Sequence, residues 1–430
     1  MKKYRKIVKI IAAAVCAGAL STSVRAAGLV IPASARPPAA IKPPARSEKP
    51  VLPDKPSDNP PASKTDEKAA DGYMFLKSYY ANGAGTISYA DAMKQAIAAN
   101  SSVENLSDSA RLINQNIKVG QDTFMSNMGL PYATVVNLLV NLKSLEANAD
   151  AARYSERMLK ESAEYVLLSA VTDLETKKID IALLERSVGL GEQNAKNLEL
   201  QVGLGVKSQS ELEAAKLSLQ ADKANLAALK MSADGSMTAI NRALGRDMAD
   251  KSPVAYKPDE TKMNPEKYIV QMYDTIDDAP TVKSKEFALE AARYAKSVSG
   301  TGYDWVTGQK DMFALSEVEQ HDIQLENDVN SAERALSDAR ADLEKTIRGL
   351  CDNISQLESA RKALEAVRAQ AVNTYNNALL SFKAGNIIEF QVKQAELGVM
   401  KAEADIEKNK ISYDSLRFLA ERPYLAAGAK

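Results

Sequence analysis

The stretch LSDARADLEKTIRGLCDNISQLESARKALEAVRAQAVNTYNNALLSFKAG, residues 336–385, decides the fold. Leucine stands at 336, 343, 350, 357 and 364, and Ile347 and Ile354 fall four positions after Leu343 and Leu350. This 4-3 alternation is the seam of a coiled coil, because it returns apolar side chains to one helical face. No proline interrupts Leu336–Leu380, and the flanking residues are mostly Ala, Glu, Lys, Arg and Gln, all good helix formers. Gly385 ends the run where a helix takes a left-handed cap. A second amphipathic segment starts directly afterwards and reaches about Arg422. The pattern predicts a long antiparallel hairpin with a glycine tip, whose first arm of about 50 residues makes a rod of roughly 75 Å.

The hairpin occurs twice, at an offset of 180 residues. Gly385 maps to Gly205, Phe382 to Val202, Asn377 to Asn197, Ala395 to Ala215 and Leu397 to Leu217. The helix before Gly205 has its own heptad: Leu167, Leu174, Ile181 and Val188. The openings of the two halves also correspond, Ala99–Val103 matching Asp278–Val282 at an offset of 179. Any two Ala/Leu/Glu/Lys coiled coils look alike, but here glycines, openings and tips keep one offset. Duplication is therefore the main architectural fact. The fold class is all-α, or mainly α with short β elements.

Outward from the hairpins, residues 1–26 read as a secretory signal. Lys2, Lys3, Arg5, Lys6 and Lys9 precede the apolar Ile10–Leu20, and Val24-Arg25-Ala26 offers a cleavage site. Cys16 follows Val15, a poor residue to precede a lipidated cysteine. The chain is then exported to the cell envelope, either the outer membrane or the periplasm. Residues 27–85 hold most of the 16 prolines and read as a disordered or polyproline-II spacer. The first helical repeat spans 86–250, a proline-bearing connector 251–265, the second repeat 266–424, and 425–430 are a tail. The first helix is expected over Ile87–Val119, a break over Asp122–Tyr132, and a rod from about Val135 to Leu200. In the second half, one helix is expected over Glu266–Ser297 and a glycine-rich turn over Ser299–Lys310.

Composition points away from catalysis. His321 is the only histidine, in a polar helix start, and Cys351 is the one cysteine outside the signal. Cys351 sits beside Leu350 on the seam and reads as a packed or half-buried thiol. No phosphate-cradling glycine loop, nucleophile elbow or zinc-binding HExxH motif is present. Carboxylates alternate with Lys and Arg as they do on solvated helix faces. No enzyme, cofactor or metal site is expected. The net charge is −1, and loss of the signal's six positive residues leaves about −7, so no affinity for nucleic acid is expected.

The duplicated layout resembles the TolC family of outer-membrane efflux proteins over about residues 86–424. Ile87–Ala92 with Ala96, Ala99 and Asn100 is similar to that family's opening helix. Pro280-Thr281-Val282 with Leu289–Ala292 is similar to the start of its second repeat. Val202–Gly205 and Phe382–Gly385 resemble its glycine turns. The resemblance implies a TolC-like α-barrel protomer and a homotrimer enclosing a conduit for efflux or type I secretion. The tips would face a periplasmic adaptor (membrane fusion) protein and an inner-membrane transporter. Tip residues expected to meet a partner are Gly203, Leu204, Gly205, Val206, Gly385, Asn386, Ile387 and Ile388. In that family acids often ring the channel mouth six and nine positions after the second tip glycine. Here those positions are Gln391 and Gln394, and only Glu211 of the first repeat remains acidic. The family also inserts two membrane strands per repeat, each needing about 9–11 alternating residues. Residues 122–134 and 299–313 are too short for that, so membrane contact there is expected to fall short of a full barrel. The other reading is a coiled-coil spacer or tether in the envelope.

Overall fold

The computed structural model describes residues 86–126, 132–306 and 312–427, which belong to one compact unit. The signal and the proline-rich spacer lie outside the described residues. Strand β1 (Ile87–Ser88) leads into helices α1 (Tyr89–Ala99), α2 (Ser101–Ser126) and the rod α3 (Tyr132–Gly203). Helix α4 (Gln209–Ala243) returns from the first tip. After β2 (Val254–Ala255) come α5 (Pro265–Val270), α6 (Met272–Asp277), α7 (Pro280–Val306), the second rod α8 (Met312–Lys383), its return α9 (Glu389–Glu421) and α10 (Pro423–Ala427). Each rod has 72 residues, a length of roughly 110 Å.

The helices form four neighbouring columns. α2 and α4 lie along successive parts of α3, α7 and α9 lie between α3 and α8, and α8 forms the far edge. Close approach is built in at Gly191, where an added Cβ would stand 3.1 Å from Leu219. Between α3 and α4 a heptad ladder of ion pairs fixes the register: Glu199–Lys216 at 2.6 Å, Glu192–Lys223 at 2.7 Å and Glu185–Lys230 at 2.7 Å. Exposed pairs of this kind contribute only about 0.2–1 kcal/mol each. Their value is in selecting one register over slipped ones.

The thickest packing is at mid-length, where the short elements gather. One core joins Ala92 and Ala96 of α1, Leu167 and Val171 of α3, Ile240 of α4 and Ile411 of α9. Another joins Met272 and Ile276 of α6, Val282 of α7, and Leu343, Ile347 and Cys351 of α8. Of the heptad leucines, Leu336, Leu343 and Leu350 are buried, whereas Leu357 and Leu364 are only half-buried. Towards the tips each rod has fewer neighbours, so the same seam buries less. Cys351 is buried, and that burial pushes its thiol pKa up. Both effects suppress the thiolate that reacts. A bulky maleimide is therefore expected to label the signal-less protein only after denaturation; prompt labelling of the native protein would place Cys351 on the wrong face.

Several expected boundaries are corrected. The opening helix does not run unbroken to Val119. It stops at Asn100, whose extended backbone ends α1 and whose Oδ1 accepts from the Ser102 amide at 3.0 Å. Within the break expected over Asp122–Tyr132 the described residues are helical, since α2 continues to Ser126 and α3 starts at Tyr132, while 127–131 lie outside the described residues. The hydroxyls of Thr123 and Ser126 donate to the carbonyls of Val119 and Asp122, both at 2.7 Å, so these polar side chains are satisfied within the helix. The single helix expected over Glu266–Ser297 is three helices. Pro280 starts the third because proline suits a first helical position and restrains the residue before it. The glycine-rich turn expected from Ser299 is helical to Val306. Glycine weakens a helix by only about 1 kcal/mol, and α7 has α3 and α8 to pack against. Residues 307–311, the side chains of Tyr303, Trp305 and Phe313, and that of Tyr132 lie outside the described residues.

Short β elements do occur: β1 and β2 pair in parallel, Ile87 with Val254 and Ser88 with Ala255. This bridge ties the start of the first repeat to the connector after it. The connector itself clasps the second hairpin. Tyr256 Oη donates to Asp414 at 2.6 Å, Arg417 donates to Asp259 at 2.7 Å, and Glu260 accepts from Arg361 at 2.7 Å and from Lys410 at 2.9 Å.

Candidate functional site

The two tips are built alike from their backbones upward. Gly205 and Gly385 take φ of +71° and +75°, a left-handed conformation that favours glycine. In the first tip the Gly205 and Val206 amides donate to the carbonyls of Val202 (2.9 Å) and Gln201 (2.8 Å). In the second, Gly385 and Asn386 donate to Phe382 (2.9 Å) and Ser381 (2.9 Å). Each is the same paired closure of a helix end. Leu204 is 79 % exposed, Val206 69 % and Ile388 57 %. Gly203, Gly205, Gly385 and Asn386 are exposed too, and Ile387 is half-buried.

The tips differ where their return helices start. Ser208 caps α4: its Oγ accepts from the Glu211 amide at 3.3 Å while the Glu211 carboxylate accepts from the Ser208 amide at 3.0 Å. Lys207 also donates to Glu211 at 2.7 Å. The Lys207 and Ser208 bonds pull the Glu211 carboxyl down to about 2. A depressed folded-state pKa means this bonding is fully present above the ordinary carboxylate range and is lost as the pH falls towards 2. The Ser-x-x-Glu spacing of Ser208 and Glu211 is a capping signal that the sequence already carries. In the second tip Ile388 holds the cap position and makes no side-chain cap bond.

Two grooves of ≈ 530 Å³ flank the first turns of α9. One separates it from α3 and is lined by Asn197, Leu200, Ile388 and Phe390 together with Lys196 and Lys393. The other opens towards α8 and is lined by Gln370, Thr374, Gln391, Gln394 and Gly398. Gln391 and Gln394 are thus brought together, whereas Glu211 lies on the other hairpin and is occupied by its cap.

Above the grooves, ion pairs tie α9 to α3. Arg186 donates to Glu396 at 2.7 Å, and Lys408 pairs with Asp180. These bonds were not legible in the heptads, because 210 residues separate Arg186 from Glu396. Within the second hairpin the fully buried Glu403 accepts from Arg368 at 3.0 Å. Among the described residues no group of His, Cys, Asp and Glu is arranged to hold a metal. No helix there is long and apolar enough to cross a membrane.

No protein-family model matches the sequence, and comparison with curated proteins gives no match. Solved structures do match. The CmeC outer membrane channel of Campylobacter jejuni superposes with a TM-score of 0.61 at 11 % identity, over 79 % of this chain and 86 % of that one. A membrane protein from Pseudomonas aeruginosa gives 0.59 at 11 % identity, over 86 % and 99 %. The open-state MtrE outer membrane channel of Neisseria gonorrhoeae gives 0.54 at 11 % identity, over 79 % and 88 %. The chain therefore has the TolC-like fold, in its predominantly helical form.

Proposed function

We propose that this protein is an exported component of the cell envelope that assembles as a homotrimeric helical conduit for efflux or type I secretion. The observation that carries the reading is the pair of matched hairpins, each closed by the same glycine turn and exposing apolar residues at its tip. Three copies of a four-column layer make twelve columns, enough to enclose a passage. The tip residues and the grooves beside α9 would receive a periplasmic adaptor, itself joined to an inner-membrane transporter. Gln391 and Gln394 would line the mouth with neutral amides where an acidic ring would hold cations. The proposed boundaries are 86–250 and 266–424 for the repeats, with 251–265 as the clasp between them. The test is the native mass of the signal-less protein with and without a cross-linker. A trimer supports the conduit, and a monomer at micromolar concentration removes it.

A second reading has a specific observation behind it. Helix reaches Ser126 and Val306 on one side and resumes at Tyr132 and Met312 on the other. The intervals 127–131 and 307–311 are shorter than one membrane strand of about 9–11 residues. A spacer or tether in the envelope, without a barrel of its own, would need no such strands. The signal-less protein is expected to float with lipid vesicles weakly or not at all, and salt is expected to strip it. Detergent-requiring insertion with a heat-resistant β signal in circular dichroism would overturn that expectation.

A further inference from the structure

The connector between the repeats sorts its charges. Val254, Tyr256 and Pro258 are buried against the helices. The connector's acids are already bonded: Asp259 accepts from Arg417 at 2.7 Å, Glu260 accepts from Arg361 at 2.7 Å and from Lys410 at 2.9 Å, and Asp250, just before it, accepts from the Ser252 amide at 2.8 Å. Its lysines are not. Lys251, Lys257 and Lys262, and Lys267 in the following α5, are all exposed, and none makes an ion pair among the described residues. Glu266 is the one acid in this run without a bonded partner, and it stands in the first turn of α5, where a helix favours negative charge. The mature chain is acidic as a whole, so this strip of lysines, spaced five to six residues apart, is a local exception that the net charge hides.

The place of the strip on the rods narrows what it can meet. The connector grips α8 at Arg361, which lies 22 residues from Lys383 at the tip end and 49 from Met312 at the other. Those intervals are roughly 33 and 73 Å, several times the Debye length of about 8–10 Å. A lipid surface touched by either end of the rods is therefore too far away to be felt by these lysines. The spacing is also too wide for one small anion to bridge, and it suits an extended polymer with repeated negative groups. Just beyond Lys267, Val270 is 79 % and Tyr273 59 % exposed. An open aromatic ring, apolar on its faces and polar at its hydroxyl, can take the flat side of a sugar.

We infer that this strip is a docking surface for an extended polyanion of the envelope, a glycan whose attached peptides carry free carboxylates, which is the chemistry of peptidoglycan. Lys251, Lys257, Lys262 and Lys267 supply the charge, and the acids that would repel such a polymer are held by Arg417, Arg361 and Lys410. The inference needs only a chain exported to the envelope. It goes beyond the conduit and holds equally for a spacer, since either would be fixed at one level by a grip at its waist.

The experiment is co-sedimentation of the full signal-less protein with purified peptidoglycan sacculi. Wild type is expected to pellet with sacculi at low salt and to be released at about 0.5 M salt, where screening shortens to a few ångströms. Sacculi whose carboxylates have been amidated are expected to bind at least tenfold less. Lys251→Glu with Lys257→Glu, Lys262→Glu and Lys267→Glu is expected to bind at least tenfold less with unchanged helix content. Lys118→Glu with Lys345→Glu, Lys362→Glu and Lys383→Glu makes the same change of charge at exposed lysines elsewhere and is expected to keep at least half of the binding. Equal loss in both quadruple variants overturns the strip as the site. No binding by wild type, or binding to vesicles of anionic lipid in preference to sacculi, overturns the partner. The native mass decides the conduit separately, so neither result is confused with the failure of that reading.

Discussion

Leu350→Glu is expected to destabilise the protein by about 3–5 kcal/mol, the range for a buried charge with no compensating partner. Leu350 packs with Ile354, Tyr413 and Ala420 on the contact between α8 and α9. A glutamate there must lose its hydration or pry the hairpin open to keep it. Asn353→Glu, on the exposed side of the same helix, is expected to stay within about 0.5 kcal/mol of wild type. Urea unfolding followed by circular dichroism separates the two. If Leu350→Glu unfolds and assembles as wild type does, the seam is misplaced and with it the second hairpin.

A paired substitution at the tips, Val206→Asp with Ile388→Asp, is expected to reproduce the phenotype of a deletion strain while leaving helix content and subunit mass unchanged. Both side chains are exposed, so neither charge is forced into a core. Ile388 is also the uncapped start of α9. Aspartate is a preferred residue there and caps a helix by about 0.5–2 kcal/mol relative to an apolar one. The variant would therefore fold at least as well and still place two carboxylates where an apolar partner docks. Ile387→Asp is the poorer probe, because Ile387 is half-buried and its loss mixes local packing with docking. Full function in the Val206→Asp/Ile388→Asp strain would retire the tips as a docking site, whatever the oligomeric state.

Much of this was readable in one dimension because coiled coils are local objects. Leu336, Leu343, Ile347, Leu350 and Ile354 declare a buried face by spacing alone, and all five are buried. Gly205 and Gly385 declare the tips because few other residues tolerate their φ.

The residues alone carry what is periodic and local, so the sequence shows two hairpins, their glycine turns and the offset between them. It overstated the breaks at Asp122–Tyr132 and Ser299–Lys310, because polar and glycine-bearing segments lower helix propensity by amounts that packing on a neighbouring helix exceeds. What the tertiary structure alone decided is the order of the columns, with α9 held to α3 by Arg186–Glu396 and the connector gripping α8 and α9 through Glu260. Those contacts join residues far apart in the chain, so no spacing rule announces them. A heptad fixes which face of a helix is apolar; only the folded chain fixes which helix meets it and which face is left for another molecule.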